Sequence, residues 1–410
     1  MQAPATTTEP PKQRILFVDD EPSVLDGLQN LLRKQRRRWD MVFATSGDAA
    51  LSELERTPFD VVVSDMRMPG MDGAALLAAV KERYPHTARI VLSGHAEQSA
   101  IERALPVAHQ FLSKPCDANV LREVIERTVR YSSLLGDQRL RDVVGRLDTL
   151  PSAPATFIEL NEAAAKSATT VEQLARIVEK DPAMATKVLQ LVNSAYFGLA
   201  RPVSSVDTAV SMLGIELLRG LTLSAHVFED GRATSVEGCS IRELQRRSLY
   251  TARLSKRLAR SPAQGGAAFT AALLHDIGLV VFTAACPALL VASLREVQET
   301  GRPLHEVELE RIGCTHAAVG AYLLGIWGLP MTIVEAVAYH HTPLLAPVEA
   351  QELLLPLHVA DALADEVLPP FGQTSPVDVG YLTQIGVAEE LETWRQLARD
   401  IWQGCTTDRG

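Results

Sequence analysis

The chain has 410 residues, 47% of them hydrophobic and 22% charged, with 40 Lys and Arg against 50 Asp and Glu. That length holds two or three domains of ordinary globular composition. The resulting net charge of −10 argues against direct nucleic-acid binding, which favours a basic face. The one basic run, "RKQRRR" at 33–38, reads as the solvated end of an amphipathic helix.

The first thirteen residues, "MQAPATTTEPPKQ", are Pro/Thr-rich and read as a disordered tail over 1–13 rather than a signal peptide. No window is expected to reach the roughly 18 apolar residues of a membrane span, so no membrane association is expected. Five cysteines (Cys116, Cys239, Cys286, Cys314, Cys405) include no CxxC pair. An odd, scattered set fits small buried thiols in a reducing cytoplasm.

From 14 to 130, apolar runs alternate with amphipathic helical patterns. "RILFV", "VVVSD", "RIVLS" and "HQFLSK" have strand character, and "PSVLDGLQNLLRKQ" and "DGAALLAAVKERY" have helical spacing. Such alternation predicts βαβ units and a doubly wound parallel sheet, whose ligands sit at the carboxyl ends of strands. Asp19 and Asp20 follow the first strand and Asp65 ends a later one. Converging carboxylates repel unless a cation lies among them, and an oxygen-only donor set suits Mg²⁺. Lys114 and Ser93 sit at further strand ends and offer a cation and a hydroxyl. Together these groups are what phosphoryl transfer to a carboxylate requires.

Taken in order, "FVDDEP", "VVVSDMRMPGMDG", "IVLSGHA" and "FLSKP" resemble the receiver domain of two-component response regulators. The resemblance implies a flavodoxin-like, five-stranded sheet. It implies Asp65 as phospho-acceptor, and Mg²⁺ held directly by Asp20, Asp65 and the Arg67 carbonyl, with Asp19 acting through water. Ser93 and Lys114 would contact the phosphoryl group, and Phe111 would be the switch aromatic. A sensor histidine kinase is the implied partner.

Residues 131–150 continue the helical spacing as a connecting helix able to pair with a second copy. "LPSAPAT" then marks a new domain, all-helical from 151 to 345, with a helical extension over 346–410. "EKDPAMATKVLQLVNSAYFG" is expected to break into two helices at Asp181-Pro182. Met184, Met212, Trp327 and Met331 lie at helical spacing in apolar segments and read as core.

This part is similar to the HDOD family, a helical relative of the metal-dependent HD phosphohydrolases. The resemblance rests on "LPSAPATFIEL", the Asn-Ser-Ala-Tyr-Phe-Gly stretch, "PVSSVDTAVSMLGIELLRGLTL" and "THAAVGAYLLGIWGLP". An HD hydrolase needs an upstream histidine, a His-Asp pair and a downstream aspartate around a metal. His275 and Asp276 supply the pair, Asp361 fits the downstream aspartate, and His316, His340 and His341 stand where second-metal ligands lie in HD-GYP phosphodiesterases. Arg247 occupies the upstream histidine's position, and a guanidinium has no lone pair to give a metal. If it reached Asp276 and Asp361 it would replace the metal's charge with an ion pair.

The expectation is a phosphorylation-dependent regulator whose non-catalytic helical domain binds a partner protein, with no transition metal in that domain. Two readings compete with it: a metal-dependent phosphohydrolase acting on cyclic dinucleotides, and a helical module that binds a second messenger without cleaving it.

Overall fold

The computed structural model describes residues 12–93, 107–114, 116–132, 141, 144, 160, 163, 169–193, 202–213, 236–368 and 376–407. The N-terminal tail over 1–11, nearly all of the connecting helix beyond Ser132, the Asn-Ser-Ala-Tyr-Phe-Gly segment beyond Asn193 and the side chains of Ser93 and Phe111 lie outside the described residues. The chain divides into two units, Met1–Val129 and Arg130–Gly410.

The first unit is a parallel α/β sheet with strand order β2-β1-β3-β4-β5. Its strands are β1 (Gln13–Val18), β2 (Trp39–Ala44), β3 (Val61–Asp65), β4 (Ala88–Ser93) and β5 (Gln110–Ser113). β1 and β3 are continuous apolar runs because helices cover both faces of a parallel sheet. β2 is the strand the pattern did not reveal. It lies at the edge, only half-buried over Met41–Phe43, and its apolar stretch Met41–Ala44 directly follows the basic run and an exposed Asp40. The register pairs Val18 with Ser64, Asp65 with Leu92 and Ser93 with Ser113. The carboxyl ends of β1, β3, β4 and β5 therefore lie along one edge.

Among the described residues, helices α1 (Pro22–Leu31), α2 (Gly47–Arg56) and α3 (Gly73–Arg83) lie in this unit, and α4 (Ala118–Ser132) begins in it. The Asp72 side chain caps α3, its Oδ1 accepting from the Ala75 N–H at 2.8 Å. The basic run is a short 3₁₀ turn over Arg33–Arg37 whose cationic side chains are exposed, as a solvated face requires.

The second unit is mostly helical. Asp181 separates α5 (Val171–Val178) from α6 (Pro182–Val192), its Oδ1 accepting from the N–H of Ala183 at 2.9 Å and of Met184 at 3.3 Å. There follow α7 (Ile241–Leu258), α8 (Pro262–Leu274), α9 (Ile277–Ala285), α10 (Pro287–Thr300), α11 (Leu304–Arg311), α12 (His316–Ile326) and α13 (Met331–Tyr339). Last come α14 (Gln351–Val367), α15 (Val379–Gln384) and α16 (Leu391–Thr407). Tyr250 ties α16 to α7, donating to the Ala398 carbonyl at 2.7 Å and meeting Trp402 edge-on.

Two sequence expectations need correction. The stretch Gln264–Ala285 is long and apolar enough to cross a membrane by length and composition, contrary to the expectation of no such window. Within the unit 89% of that window is buried, so its apolarity is that of a central core segment. Met212 is 44% exposed rather than core, whereas Met184 and Trp327 are buried.

Candidate functional site

At the sheet edge, the Lys114 ammonium lies 2.6 Å from Asp19 Oδ2 and 2.5 Å from Asp65 Oδ1. The chain order brings this about: Asp19 follows β1, Asp65 closes β3, and Lys114 follows β5. Burial alone would lower the lysine's pKa, but its hydrogen bonds to Asp19 and Asp65 outweigh that and raise it. The second oxygen of each carboxylate is held by backbone. Asp19 Oδ1 accepts from the Glu21 N–H at 3.0 Å, and Asp65 Oδ2 accepts from the Arg67 N–H at 2.7 Å. Asp20 stands beside Asp19, half-buried, and Arg67 is exposed.

Gly73 is a steric requirement of this edge. A Cβ there would lie 2.1 Å from the Asp65 carbonyl oxygen, so no side chain fits where α3 begins. The acidic side chains gathered here offer carboxylate oxygens, the chemistry of a hard divalent cation, and they fit Mg²⁺.

In the helical unit, Arg247 projects from α7 into a buried carboxylate cluster. Its Nη1 donates to Asp276 Oδ2 at 2.7 Å, and its Nη2 donates to Asp361 Oδ1 and Asp365 Oδ1, each at 2.5 Å. Its Nε reaches Asp365 Oδ1 at 3.1 Å. The Arg247 side chain is 6% exposed and the three carboxylates 3–7%. Burial opposes charge on all of them, yet mutual attraction dominates: the guanidinium's pKa rises well above its usual value while those of Asp276 and Asp361 fall.

His275 joins the cluster. Its Nδ1 faces the Ala272 carbonyl at 2.7 Å, and its Nε2 lies 2.9 Å from Asp361 Oδ1 and 3.1 Å from Asp276 Oδ2. Burial lowers its pKa, but Asp276 and Asp361 raise it further, to about 10. His275 Nε2 also lies 2.9 Å from Arg247 Nη1, so ring and guanidinium share the Asp276 and Asp361 oxygens.

Asp365 was missed by the sequence reading. Its signal was there: it lies four residues after Asp361 on α14, the spacing that puts two side chains on one helix face. The His-Asp pair itself forms the break between α8 and α9.

The three remaining predicted histidines gather beside this cluster. His341 Nε2 lies 3.0 Å from His316 Nε2. His316 Nδ1 is held by the buried Glu308 carboxylate at 2.7 Å, and His340 Nδ1 donates to the Val337 carbonyl at 2.7 Å. His305, given no role from sequence, stacks on His341 with ring centroids 4.7 Å apart. His358, also unassigned, contacts the His340 carbonyl through Nδ1 at 2.8 Å. Glycine again permits the approach. A Cβ on Gly278 would stand 2.0 Å from the His316 carbonyl oxygen, where α9 crosses α12.

A phosphoryl-type acidic edge on a parallel sheet, joined in one chain to a helical HD-like fold, defines the response-regulator class. Residues 15–126 match the family model of the response regulator receiver domain, and residues 150–343 match that of the HDOD domain. The chain is a response regulator with an N-terminal receiver domain and a C-terminal HDOD domain.

It is similar to the MmoQ response regulator of Methylococcus capsulatus, with 26% identity over 60% of this chain and 98% of that one, at a TM-score of 0.48. An uncharacterized protein of Treponema pallidum is 26% identical over 58% of this chain and 46% of its own length. The hydrogenase transcriptional regulatory protein HoxA of Cupriavidus necator is 32% identical over 40% of this chain and 33% of its own length. The chain thus spans less than half the length of these two curated relatives.

Proposed function

We propose that the chain accepts a phosphoryl group on Asp65 from a sensor histidine kinase and passes the change to an HDOD domain that binds a partner protein without hydrolysing phosphodiesters. One observation carries the receiver half: Lys114 spans Asp19 and Asp65 at salt-bridge distance. In the transfer, a carboxylate oxygen of Asp65 bonds to phosphorus as the phosphorus–nitrogen bond of the donor breaks. Lys114 moves from neutralising carboxylates to neutralising the incoming phosphoryl oxygens, and the Ser93 hydroxyl donates to one of them. Asp19, Asp20, Asp65 and the Arg67 carbonyl would hold Mg²⁺, which supplies further neutralisation of phosphoryl charge.

Phosphorylation adds roughly −1.5 to −2 charge at neutral pH. Phe111, which has no hydroxyl, responds by packing alone. The connecting segment over 131–150 carries the signal and pairs copies of the chain into a dimer. The free thiols support a reducing, cytoplasmic setting: burial pushes Cys239 up to about 12 and Cys116 up to about 11, which leaves both unreactive.

The non-hydrolytic reading rests on Arg247. Its guanidinium already satisfies Asp276 and Asp361, the carboxylates an HD hydrolase gives to its first metal. The test is phosphorylation of the full chain by a small-molecule phosphodonor with Mg²⁺, read by intact mass and hydrodynamic size. One phosphoryl group per chain and a change in size or protease sensitivity are expected, and Asp65→Ala abolishes both. Modification that persists in Asp65→Ala removes the receiver reading. Cleavage of a cyclic dinucleotide by the purified chain removes the non-hydrolytic one.

A further inference from the structure

Five of the six residues at 33–38 are Lys or Arg, in a chain whose net charge is −10. A solvated face ordinarily mixes both signs, and an acidic chain needs no block of cations for solubility. The dipole of α1 does not account for them either, since its partial charge of roughly −0.5 calls for a single cation. The fold sharpens the concentration. The run is a 3₁₀ turn over Arg33–Arg37 closed by Arg38, and residues three apart eclipse one another in such a turn. Arg33 thus lines up with Arg36, Lys34 with Arg37, and Gln35 with Arg38. The third row is engaged: Gln35 is half-buried, and Arg38 donates to Glu126 at 3.2 Å. The other two rows are wholly cationic and exposed. Among the described residues, the side chains of Arg33, Lys34, Arg36 and Arg37 have no carboxylate partner. The exposed Lys12 adds a fifth cation to this face, its Nζ donating to the Arg36 carbonyl at 3.1 Å.

The neighbours of the turn say which anion it fits. Leu31, three residues before Lys34, is 51% exposed, so an apolar side chain adjoins the cationic rows. A polynucleotide backbone makes no use of such a group. The aromatic residue of the segment, Trp39, is 2% exposed and offers no ring for base stacking. A turn of this length is only about 10 Å long, too short to lie along a nucleic-acid groove. Exposed cations beside a protruding apolar side chain suit a plane of anionic headgroups over an acyl boundary. The acidity of the whole chain does not oppose this at short range, because fields at about 0.1 M salt decay within about 10 Å. The acidic groups beside the turn, Asp40 and Glu126, are already paired with Arg14 and Arg38, at 3.0 and 3.2 Å. The Gln13 N–H donates to the Arg38 carbonyl at 3.2 Å, which puts the turn at the amino-terminal end of β1. Asp19 follows the other end of that strand, about 20 Å away.

We propose that the turn over Arg33–Arg37, with Leu31 and Lys12, is a peripheral docking surface for an anionic phospholipid membrane. The cations meet the headgroups and Leu31 enters the acyl boundary, so the chain lies on the surface without crossing it. Docking at this end of the sheet leaves the acidic edge at Asp19 and Asp65 uncovered. The proposal goes beyond the regulator reading, and against the sequence expectation of no membrane association.

The test mixes the full chain with vesicles of phosphatidylglycerol and phosphatidylcholine, in a ratio of about 3:7, and reads co-sedimentation. Binding is expected at about 0.05 M NaCl, and its loss at about 0.5 M NaCl or with phosphatidylcholine alone. Arg36→Gln combined with Arg37→Gln is expected to weaken binding by roughly 30-fold, about fivefold for each cation. Leu31→Ser is expected to weaken it by about fivefold. Arg56→Gln combined with Arg83→Gln removes two exposed cations elsewhere on the same unit and is expected to leave binding unchanged. All five positions are exposed, so each variant is expected to fold. No binding at low salt, equal binding to phosphatidylcholine alone, or binding unaffected by loss of Arg36 and Arg37 overturns the proposal. Tighter binding to a duplex or single-stranded oligonucleotide at equal phosphate concentration, lost in the same double variant, also overturns it and makes the surface a nucleic-acid one. None of these results touches phosphorylation of Asp65, which fails or holds in its own assay.

Discussion

The receiver and the HDOD domain each gather aspartates around one basic side chain, and the two clusters are built for opposite ends. At the sheet edge, Lys114 is 30% exposed and reaches two carboxylates through a flexible four-carbon stem. Its ammonium is a compact, strongly hydrated point charge that leaves one partner for another with little reorganisation. In the helical unit, Arg247 is 6% exposed and presents a planar fork to three carboxylates on two elements of the chain. A buried charge set of that kind is hydrogen-bonded on every side and does not exchange. One site is open to solvent and, on the function proposed above, admits a phosphoryl group. The other is closed around its own counter-ion.

Substitution of the two cations separates these roles. Arg247→Ala leaves Asp276, Asp361 and Asp365 uncompensated and is expected to destabilise the helical unit by about 3–5 kcal/mol, the range for breaking a buried ion pair. Lys114→Ala at the half-exposed edge is expected to change stability by about 1 kcal/mol or less, and to abolish phosphorylation. Denaturant midpoints of the two variants check both. Equal losses of stability would erase the distinction between an open and a closed cluster.

A smaller effect follows from the glycines. Gly278→Ala is expected to destabilise by about 1–3 kcal/mol through overpacking, because its Cβ would meet the His316 carbonyl at 2.0 Å. The thermal midpoint reads it. A neutral outcome would mean that α9 and α12 are free to move apart.

A separate effect is on pH dependence. His275 is raised from 6.5 to about 10 by Asp276 and Asp361, against the lowering effect of burial. A raised folded-state pKa stabilises below the unfolded value, so this contribution is complete below about 6.5 and is lost as pH rises toward about 10. The denaturant midpoint of the helical unit should fall across that window, and His275→Asn should flatten the fall. An unchanged slope in the variant would show that His275 is neutral, and that Arg247 alone compensates the cluster.

Much of this was legible along the chain. Asp19, Asp65 and Lys114 were identifiable because each lies where an apolar strand run ends, and the acidic and turn residues that follow fix those ends locally. Arg247 stood out because a histidine position held a side chain with no lone pair. The edge strand Trp39–Ala44 was passed over, although Met41–Ala44 is an apolar run, because it is short and begins beside the basic run. Asp365 lay on a visible helix four residues after a chosen aspartate, but nothing local says that a helix face turns toward a guanidinium 118 positions earlier.

The sequence by itself determined the order of a parallel α/β unit and a helical unit, the residues at the strand ends and the loss of the upstream histidine. These are properties of short segments, set by periodicity, chain direction and side-chain chemistry. The tertiary structure alone decided that one guanidinium satisfies three buried carboxylates, and that Glu308 holds His316. Those facts depend on helices far apart in sequence meeting at glycine crossings, and on which groups are removed from water together.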